Sequence, residues 1–236
     1  MFLTAEWRNL VLLNYEVDPA LISPFVPWGV ELDYWNSRVF LTLVGFQFLK
    51  TRVCGLAVPF HSNFDEVNLR FYVRRDAGGG ETRRGVVFIK EIVPRPAITF
   101  VARKVYNENY VTLPMAHDIS AANGGVNATY RWRHDGAWSE LSLATQGGPE
   151  PLRESSLEQF IAEHFWGYSV QRDGGSVEYR VEHPSWRVWQ AGEAEFRGKV
   201  EKLYGGEFAA VLRRKPASAF LAEGSAVRVM RGRRLS

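Results

Sequence analysis

Cysteine is nearly absent from this sequence, and long apolar runs are scarce. The single cysteine, Cys54, rules out an internal disulfide and any zinc site built on several cysteines. An apolar stretch near the start, Leu10–Leu13, is too short to cross a membrane and has no basic leader before it, so we expect neither a signal peptide nor a membrane span there. These features predict a cytoplasmic protein without a membrane partner.

The sequence also has little net charge. The formal net charge is only +3 at pH 7, and part of it lies near the end, at Arg228, Arg231, Arg233 and Arg234. Aromatic residues alternate with arginines in Tyr130–Arg133, a pattern that can stack on bases and hold phosphates. The low overall charge instead favours arginines that face solvent on a strand. We therefore expect no nucleic-acid partner.

Aromatic and other apolar residues, in contrast, are plentiful. The 236 residues include 8 Trp, 9 Tyr and 15 Phe, and 46% of the chain is hydrophobic, which is enough for a core of pleated strands. Chains of this length often form one β-rich unit, and no repeat, low-complexity tract or linker divides this one. We predict a single domain over residues 1–236.

Short strand-like runs bounded by turn residues dominate the sequence. The glycine-rich loop Asp76–Glu81 predicts a hairpin between two of them. So many short strands favour a closed antiparallel β-barrel, which leaves no exposed edges. The predicted strands are Val39–Phe48, Glu66–Arg74, Gly85–Val93, Ala97–Tyr106, Asn127–Arg133, Trp138–Leu143, Val177–His183, Ala191–Val200 and Ala226–Met230.

Helical signals are confined to two segments. Ser155 and Ser156 precede apolar residues at helical spacing that end at Gly167, which predicts a helix of about three turns. Asp18 followed by Pro19 predicts a second, shorter helix. Both are expected to be packing elements.

The motifs of several enzyme classes are missing. The sequence has neither the nucleophile elbow of serine hydrolases nor a phosphate-binding loop. Its histidines are not at a recognised metal-ligand spacing, although a site assembled only by the fold stays open. We expect no metal and no other cofactor. The histidines are His61, His117, His134, His164 and His183.

Several local strings occur in order along the whole chain. The most specific is Glu66–Val73, which reads Glu-Val-Asn-Leu-Arg-Phe-Tyr-Val. Others are Trp7–Leu10, Val17–Leu21, Phe64–Asp65, Gly85–Phe88, Ala102–Tyr106, Leu113–Pro114 and His183–Trp186. Together they resemble the uncharacterised YqjF-like family of the acetoacetate decarboxylase-like superfamily. The resemblance implies a mainly β (α+β) fold, a cone-shaped antiparallel β-barrel with one or two packed helices and a buried pocket in its middle.

The resemblance also implies what is missing from the pocket. In the decarboxylases of this superfamily, an arginine-glutamate-aromatic string precedes a lysine that forms a Schiff base. Arg103 matches the arginine, but Lys104 replaces the glutamate, and Asn107–Val111 holds no lysine where the nucleophile belongs. Since imine formation needs an unprotonated amine, we do not expect acetoacetate decarboxylase activity.

Alternation along Glu66–Val73 places Glu66, Asn68, Arg70 and Tyr72 on one face of a strand. These residues are either ordinary surface or the lining of a cavity. The match to the pocket glutamate of the superfamily favours the cavity for Glu66, where burial would raise the pKa of its carboxyl and suit it to acid or base chemistry. We expect Asn68, Arg70 and Tyr72 to bind a ligand beside it.

Two further candidates come from neighbouring segments. Arg103 is either a partner in a structural ion pair or the cation that faces Glu66 and clamps an anionic ligand. Lys90 shares one side of a predicted strand with Val86 and Phe88, which makes it a candidate substitute nucleophile.

Three functions stay open. The chain binds a small organic acid or carbonyl compound and acts on it without a Schiff base; it senses a ligand or interacts with a partner without catalysis; or it is a decarboxylase or lyase that uses Lys90. Tyr110 and His183 are expected as further ligand contacts, and Tyr106 as a packing residue. Apolar strand edges predict a homodimer.

Overall fold

Strands make up most of the molecule, and its helices are short. A computed structural model describes residues 1–57, 60–105, 107–122 and 124–235. No helix within these ranges is both long and apolar enough to span a membrane. The strands are β1 Leu3–Val17, β2 Glu31–Leu32, β3 Val39–Val53, β4 Leu56–Ala57, β5 Phe64–Asp76, β6 Thr82–Val93, β7 Tyr110–Thr112, β8 Met115–Ala122, β9 Gly125–His134, β10 Ala137–Thr145, β11 Glu150–Pro151, β12 Trp166–Val170, β13 Ser176–Glu182, β14 Arg187–Arg197, β15 Ser218–Val229 and β16 Arg233–Arg234. The helices are α1 Pro19–Ile22, α2 Pro96–Val105, α3 Leu157–Ala162, α4 Glu201–Tyr204 and α5 Gly206–Leu212, with a 3-10 turn at Ser23–Phe25.

The larger strands form a hydrogen-bonded ring. Its order is β1, β3, β5, β6, β12, β13, β15 and back to β1. Neighbours are antiparallel except for β6 and β12, which run parallel over a short stretch. The ring closes where Val181 and Glu182 of β13 pair with Val229 and Arg228 of β15. Because each of these strands has a partner on both sides, the ring presents few open edges.

A second sheet covers the outside of the ring. The first part of β14 pairs with β15, and its later part pairs with β10, which β9 and β8 follow. This sheet and α5 pack on β1, β3 and β5 in one apolar cluster that includes Leu43, Leu69, Tyr130, Trp132 and Phe208. Strands β1 and β3 are therefore buried on both faces, which explains their nearly continuous apolar sequence.

The inside of the ring holds a separate apolar cluster. Aromatic side chains of β3 and β5 meet α3 there, among them Phe46, Phe48, Phe64 and Phe160. Helix α3 begins as predicted, because the Ser156 hydroxyl accepts a hydrogen bond from the backbone N–H of Gln159 at 3.1 Å. The helix is shorter than predicted and ends at Ala162. Helix α1 also begins as predicted, with the Asp18 carboxylate capping Ala20 N at 2.9 Å.

The strand predicted over Ala97–Tyr106 is wrong. Residues Pro96–Val105 form α2, and Tyr106 lies outside the described residues. Helical spacing places Ala97, Ile98, Val101 and Ala102 on the face that lines the interior, a pattern that a short apolar run does not distinguish from strand alternation. The other predicted strands overlap observed ones, and the predicted hairpin joins β5 to β6, with Asp76 paired to Thr82.

Candidate functional site

The ring encloses a cavity of about 220 Å³. Strands β1, β3, β5, β6, β12 and β13 supply its walls together with α2 and α3. Most of the lining is apolar, and its aromatic side chains include Trp7, Phe46, Phe48, Phe64, Phe88, Trp166 and Trp186. A smaller polar group lies among them, formed by Glu66, Asn68, Arg70, Glu91, Glu108, Tyr110 and Tyr179. A mainly apolar pocket with a few converging polar groups is the usual form of a small-molecule site.

Strand β5 supplies the polar row that its alternation predicts. Glu66, Asn68 and Arg70 line the cavity, whereas Val67 and Leu69 between them belong to the outer core. Glu66 is only 3% exposed, and the Asn68 amide donates to its Oε1 at 2.9 Å. The polar face of β5 therefore faces the interior of the ring and not solvent.

Strand β6 contains a β-bulge that decides which of its side chains reaches the cavity. Arg70 pairs with Phe88, but Leu69 pairs with Lys90, so Ile89 is an extra residue on β6. Beyond the bulge Glu91 lines the cavity and Lys90 does not. The prediction that Lys90 shares the inward-facing side of the strand with Val86 and Phe88 is thus wrong, because simple alternation fails at a bulge.

The bulge also positions the segment after α2. The carbonyl oxygen of Ile89 accepts a hydrogen bond from the Asn109 side-chain amide at 2.8 Å. In return, the backbone N–H of Glu91 donates to the carbonyl oxygen of Asn109 at 3.1 Å. These two bonds hold the segment beside β6, so that Glu108 and Tyr110 line the cavity.

Two of the buried carboxyl groups accept hydrogen bonds from tyrosine hydroxyls. The Tyr110 hydroxyl donates to Glu66 Oε2 at 3.1 Å, and the Tyr179 hydroxyl donates to Glu108 Oε1 at 3.0 Å. Glu91 is close enough to Glu108 and Glu66 for their charges to influence its ionisation. The result is one buried cluster of Glu66, Glu91 and Glu108, which we call the carboxyl cluster.

Burial makes each member of the carboxyl cluster a weaker acid. Desolvation raises the pKa of Glu66 to about 7, although the carboxylate accepts hydrogen bonds and faces the positive charge of Arg70. Desolvation likewise raises the pKa of Glu108 to about 8. The pKa of Glu91 is raised well above its usual range by burial and by the charges of Glu108 and Glu66. At neutral pH the cluster therefore holds protons that can be exchanged with a ligand.

Several buried polar atoms on the cavity wall have no hydrogen-bond partner in the described parts of the chain. They are Trp7 Nε1, Thr51 Oγ1, Asn68 Oδ1, Arg70 Nε and Glu91 Oε2. A buried donor or acceptor without a partner costs about 1–3 kcal/mol, and such atoms are rare in folded proteins. Their concentration around one cavity indicates where a polar ligand would bind.

Arg103 does not face Glu66, so that prediction is also wrong. Its side chain is exposed on α2 and borders a shallow surface depression with Lys104, Arg172 and Arg234. The reason is that residues 97–105 turn as a helix, which directs Arg103 away from the cavity. The cation that faces Glu66 is Arg70.

Tyr72 was predicted to bind a ligand, and this prediction is also wrong. It follows the cavity-lining residues of β5 in sequence, but its side chain does not line the cavity. It is 1% exposed, its hydroxyl donates to Thr42 Oγ1 at 2.7 Å, and its ring packs on Phe160 and His164. It is a packing residue of the interior cluster. His183 does line the cavity and stacks on Trp186, with ring centroids 4.0 Å apart.

Tyr110 and His183 are thus in position for the ligand-binding roles that the sequence predicts, and those roles stay predictions. Sequence reasoning missed Glu91, Glu108 and Tyr179. Glu108 could have been found, because it occupies the stretch where the related decarboxylases carry lysine, but the bulge that turns Glu91 inward has no clear sequence signal. Within the described ranges, no group of three or more His, Cys, Asp or Glu side chains is arranged to hold a metal ion.

Sequence comparisons place the chain beside proteins of similar length. A family model for DUF2071, described as an uncharacterized conserved protein, matches residues 4–226. The uncharacterized protein YqjF of Bacillus subtilis (strain 168) is 24% identical over 192 residues, which are 80% of this chain and 75% of that protein.

Structural comparisons agree on the fold. Acetoacetate decarboxylase from Legionella pneumophila subsp. pneumophila str. Philadelphia 1 superimposes with a TM-score of 0.71 at 10% identity, covering 100% of this chain and 88% of that one. The enduracididine biosynthesis enzyme MppR, in complex with pyruvate, gives a TM-score of 0.70 at 14% identity and coverages of 100% and 91%. The predicted mainly β, acetoacetate decarboxylase-like fold is therefore confirmed.

Proposed function

We propose, from the premise that this chain belongs to the DUF2071 family, that its cavity binds a small carbonyl or carboxylate compound and transfers protons on it without forming an imine. The observation that carries the proposal is the carboxyl cluster, three buried glutamates beside one arginine inside an apolar cavity. Among the described residues that line this cavity, none is a lysine. Acid and base chemistry is what the remaining groups support.

Binding would satisfy the polar atoms that lack partners. An oxygen of the ligand accepts a hydrogen bond from Arg70 Nε, whose guanidinium stays charged at any physiological pH. Asn68 Oδ1 and Glu91 Oε2 lie on the paired strands next to it. The aromatic wall covers the rest of the ligand and excludes water, which strengthens each of these interactions.

The chemistry follows from the ionisation of the carboxyl cluster. As a carboxylate, Glu66 accepts the proton on the carbon next to the ligand carbonyl, and the C–H electron pair moves into a new C=C bond. The C=O electron pair moves onto oxygen, which takes the proton of the neutral Glu91 carboxyl. Glu66 ends protonated and Glu91 ionised, and reversal of both transfers restores them. A base with a pKa near 7 is well matched to neutral pH.

A screen of keto acids and aromatic acids tests the proposal. We expect ligands that raise the thermal unfolding temperature of the wild type but not of Arg70→Met. Arg103→Met is the matched control, since it removes the same charge from the exposed surface of α2 and should leave the shift unchanged. In D2O, Glu66→Gln should slow exchange of the ligand proton next to the carbonyl by about a hundredfold or more. Failure of every compound to stabilise the wild type would refute a small-molecule site.

A non-catalytic ligand sensor is the second candidate, and the missing lysine in the cavity lining favours it. Stabilisation by a ligand with neither proton exchange nor product would identify this function. A decarboxylase that uses Lys90 has no geometric support, so borohydride with a β-keto acid should give no adduct at Lys90.

A further inference from the structure

Two of the polar side chains that line the cavity are almost fully buried. Asn68 is 1% exposed and Glu91 is 2% exposed, whereas Arg70 on the same strand as Asn68 is partly exposed. The unpartnered atoms Asn68 Oδ1 and Glu91 Oε2 belong to these two side chains. A ligand would therefore place its polar part beside these two side chains.

The mouth of the cavity is apolar on the side of α2. The two most exposed lining residues, Ala97 and Val101 on α2, are both apolar. The partly exposed lining residues include the apolar Phe2 and Val53 as well as the polar His61 and His183. A ligand that reaches the mouth would therefore meet mainly apolar surface on the side of α2.

Exposed apolar side chains extend this surface outward. Phe60 is 89% exposed, Leu56 73% and Phe100 63%. Each is next to a lining residue: Leu56 pairs with Val53, Phe60 precedes His61 and Phe100 precedes Val101. Large apolar side chains that are exposed together usually mark a place where something apolar binds.

We propose that the ligand is an amphipathic acid that enters head first, with a carboxyl head at Arg70 and Asn68 and an alkyl or aryl tail that runs past the phenylalanines to the mouth. This inference rests on the proposed function, because it assigns the substrate class of the same site. A carboxyl head accepts from Arg70 Nε and, when protonated, donates to Asn68 Oδ1, so it satisfies both buried atoms. The tail covers apolar surface that a short polar acid would leave exposed to water.

Titration calorimetry with straight-chain saturated acids of four to ten carbons tests the inference without any need for turnover. We expect the wild type to bind each longer acid more tightly, by about fourfold for each methylene group that the cavity buries. Arg70→Met should weaken binding of every acid, because the head loses its cation. Alcohols of the same lengths should bind more weakly than the acids.

Val101→Asp is the variant that isolates the tail. It places a charge at the mouth, far from the head, so octanoate and decanoate should bind at least tenfold more weakly while butanoate binds as before. Val170→Asp is the matched control: it makes the same substitution at a valine that is 44% exposed and does not line the cavity, and should change neither.

Two results would overturn the inference, and they differ from failure of the proposed function. If butanoate binds but affinity does not rise with chain length, the head site stands and the tail assignment is wrong. If Arg70→Met binds every acid as tightly as the wild type and the alcohols bind as tightly as the acids, the tails adsorb on exposed apolar surface without use of the head site, and the inference is wrong. If no acid, butanoate included, binds and the wider screen also fails, the proposed function itself is rejected.

Discussion

At the residue scale, the most unusual groups are the three glutamates inside the ring. Their pKa values are raised because burial disfavours the charged form, and the single guanidinium of Arg70 does not offset this. The folded protein therefore binds protons that the unfolded chain loses near pH 4.5. A raised pKa of an acid means that folding becomes less favourable as pH rises, until the folded group itself has ionised.

This linkage predicts how stability changes with pH. Between pH 7 and 8.5 the free energy of unfolding of the wild type should fall, with a slope approaching about 1.4 kcal/mol per pH unit for each carboxyl still protonated in the folded state. Burial lowers the pKa values of His164 and His183, so these rings are largely neutral in both states over this range. Urea denaturation at a series of pH values measures the slope.

Glu108→Gln provides the check on that prediction. Its folded-state pKa is about 8, so removing the titratable group should make the slope shallower while the amide still accepts from Tyr179. Glu195→Gln is the control, because Glu195 is exposed and pairs with Arg197 on the surface. A wild-type slope of zero, or an unchanged slope in Glu108→Gln, would contradict the assignment of the protons to this cluster.

At the element scale, the bulge in β6 organises the site. It leaves the carbonyl oxygen of Ile89 free of the strand ladder, and the Asn109 side chain bonds to that oxygen. The same bulge sets the phase of β6, so that Glu91 and not Lys90 faces inward. Bulges commonly redirect side chains next to functional sites, and here one bulge places residues from two segments.

Loss of the Asn109 side chain should therefore affect both stability and binding. We expect Asn109→Ala to lower the free energy of unfolding by about 1–2 kcal/mol, since the Ile89 carbonyl loses its partner. It should also weaken ligand binding, because Glu108 and Tyr110 flank residue 109. Asn107→Ala, which removes an exposed bond to the carbonyl of Val170, should leave ligand binding unchanged. Equal binding by the wild type and Asn109→Ala would show that the bulge does not position this segment.

At the scale of the whole molecule, the ring and the second sheet are bound together by one apolar cluster. Residues of β1, β3 and β5 share this cluster with residues of β9, β10 and α5. The ring itself needs both ends of the chain, because β1 pairs with β15 along eleven residue pairs. Neither part retains its core without the other.

The chain should therefore unfold as one cooperative unit. We expect a single calorimetric transition in which the calorimetric and van't Hoff enthalpies agree. Two resolved transitions would contradict a single domain over residues 1–236. The predicted homodimer is a separate question, which light scattering during size-exclusion chromatography answers directly.

The sequence by itself determined the strand content, the hairpin at residues 76–81, the caps of α1 and α3 and the polar face of β5. These features depend on alternation, capping and glycine conformations, which are local properties of neighbouring residues. The resemblance to a known superfamily added the fold. For Glu66, local alternation and that resemblance were enough to predict an inward-facing side chain.

Only the tertiary structure decided which groups meet inside the ring. Whether residues 97–105 form a strand or a helix depends on the surface they cover, so Arg103 was misplaced. Glu91 lines the cavity and Lys90 does not, because β6 has one extra residue, Ile89, where it pairs with β5. The carboxyl cluster joins β5, β6 and the segment after α2, and its raised pKa values arise from burial, a property that no local pattern contains.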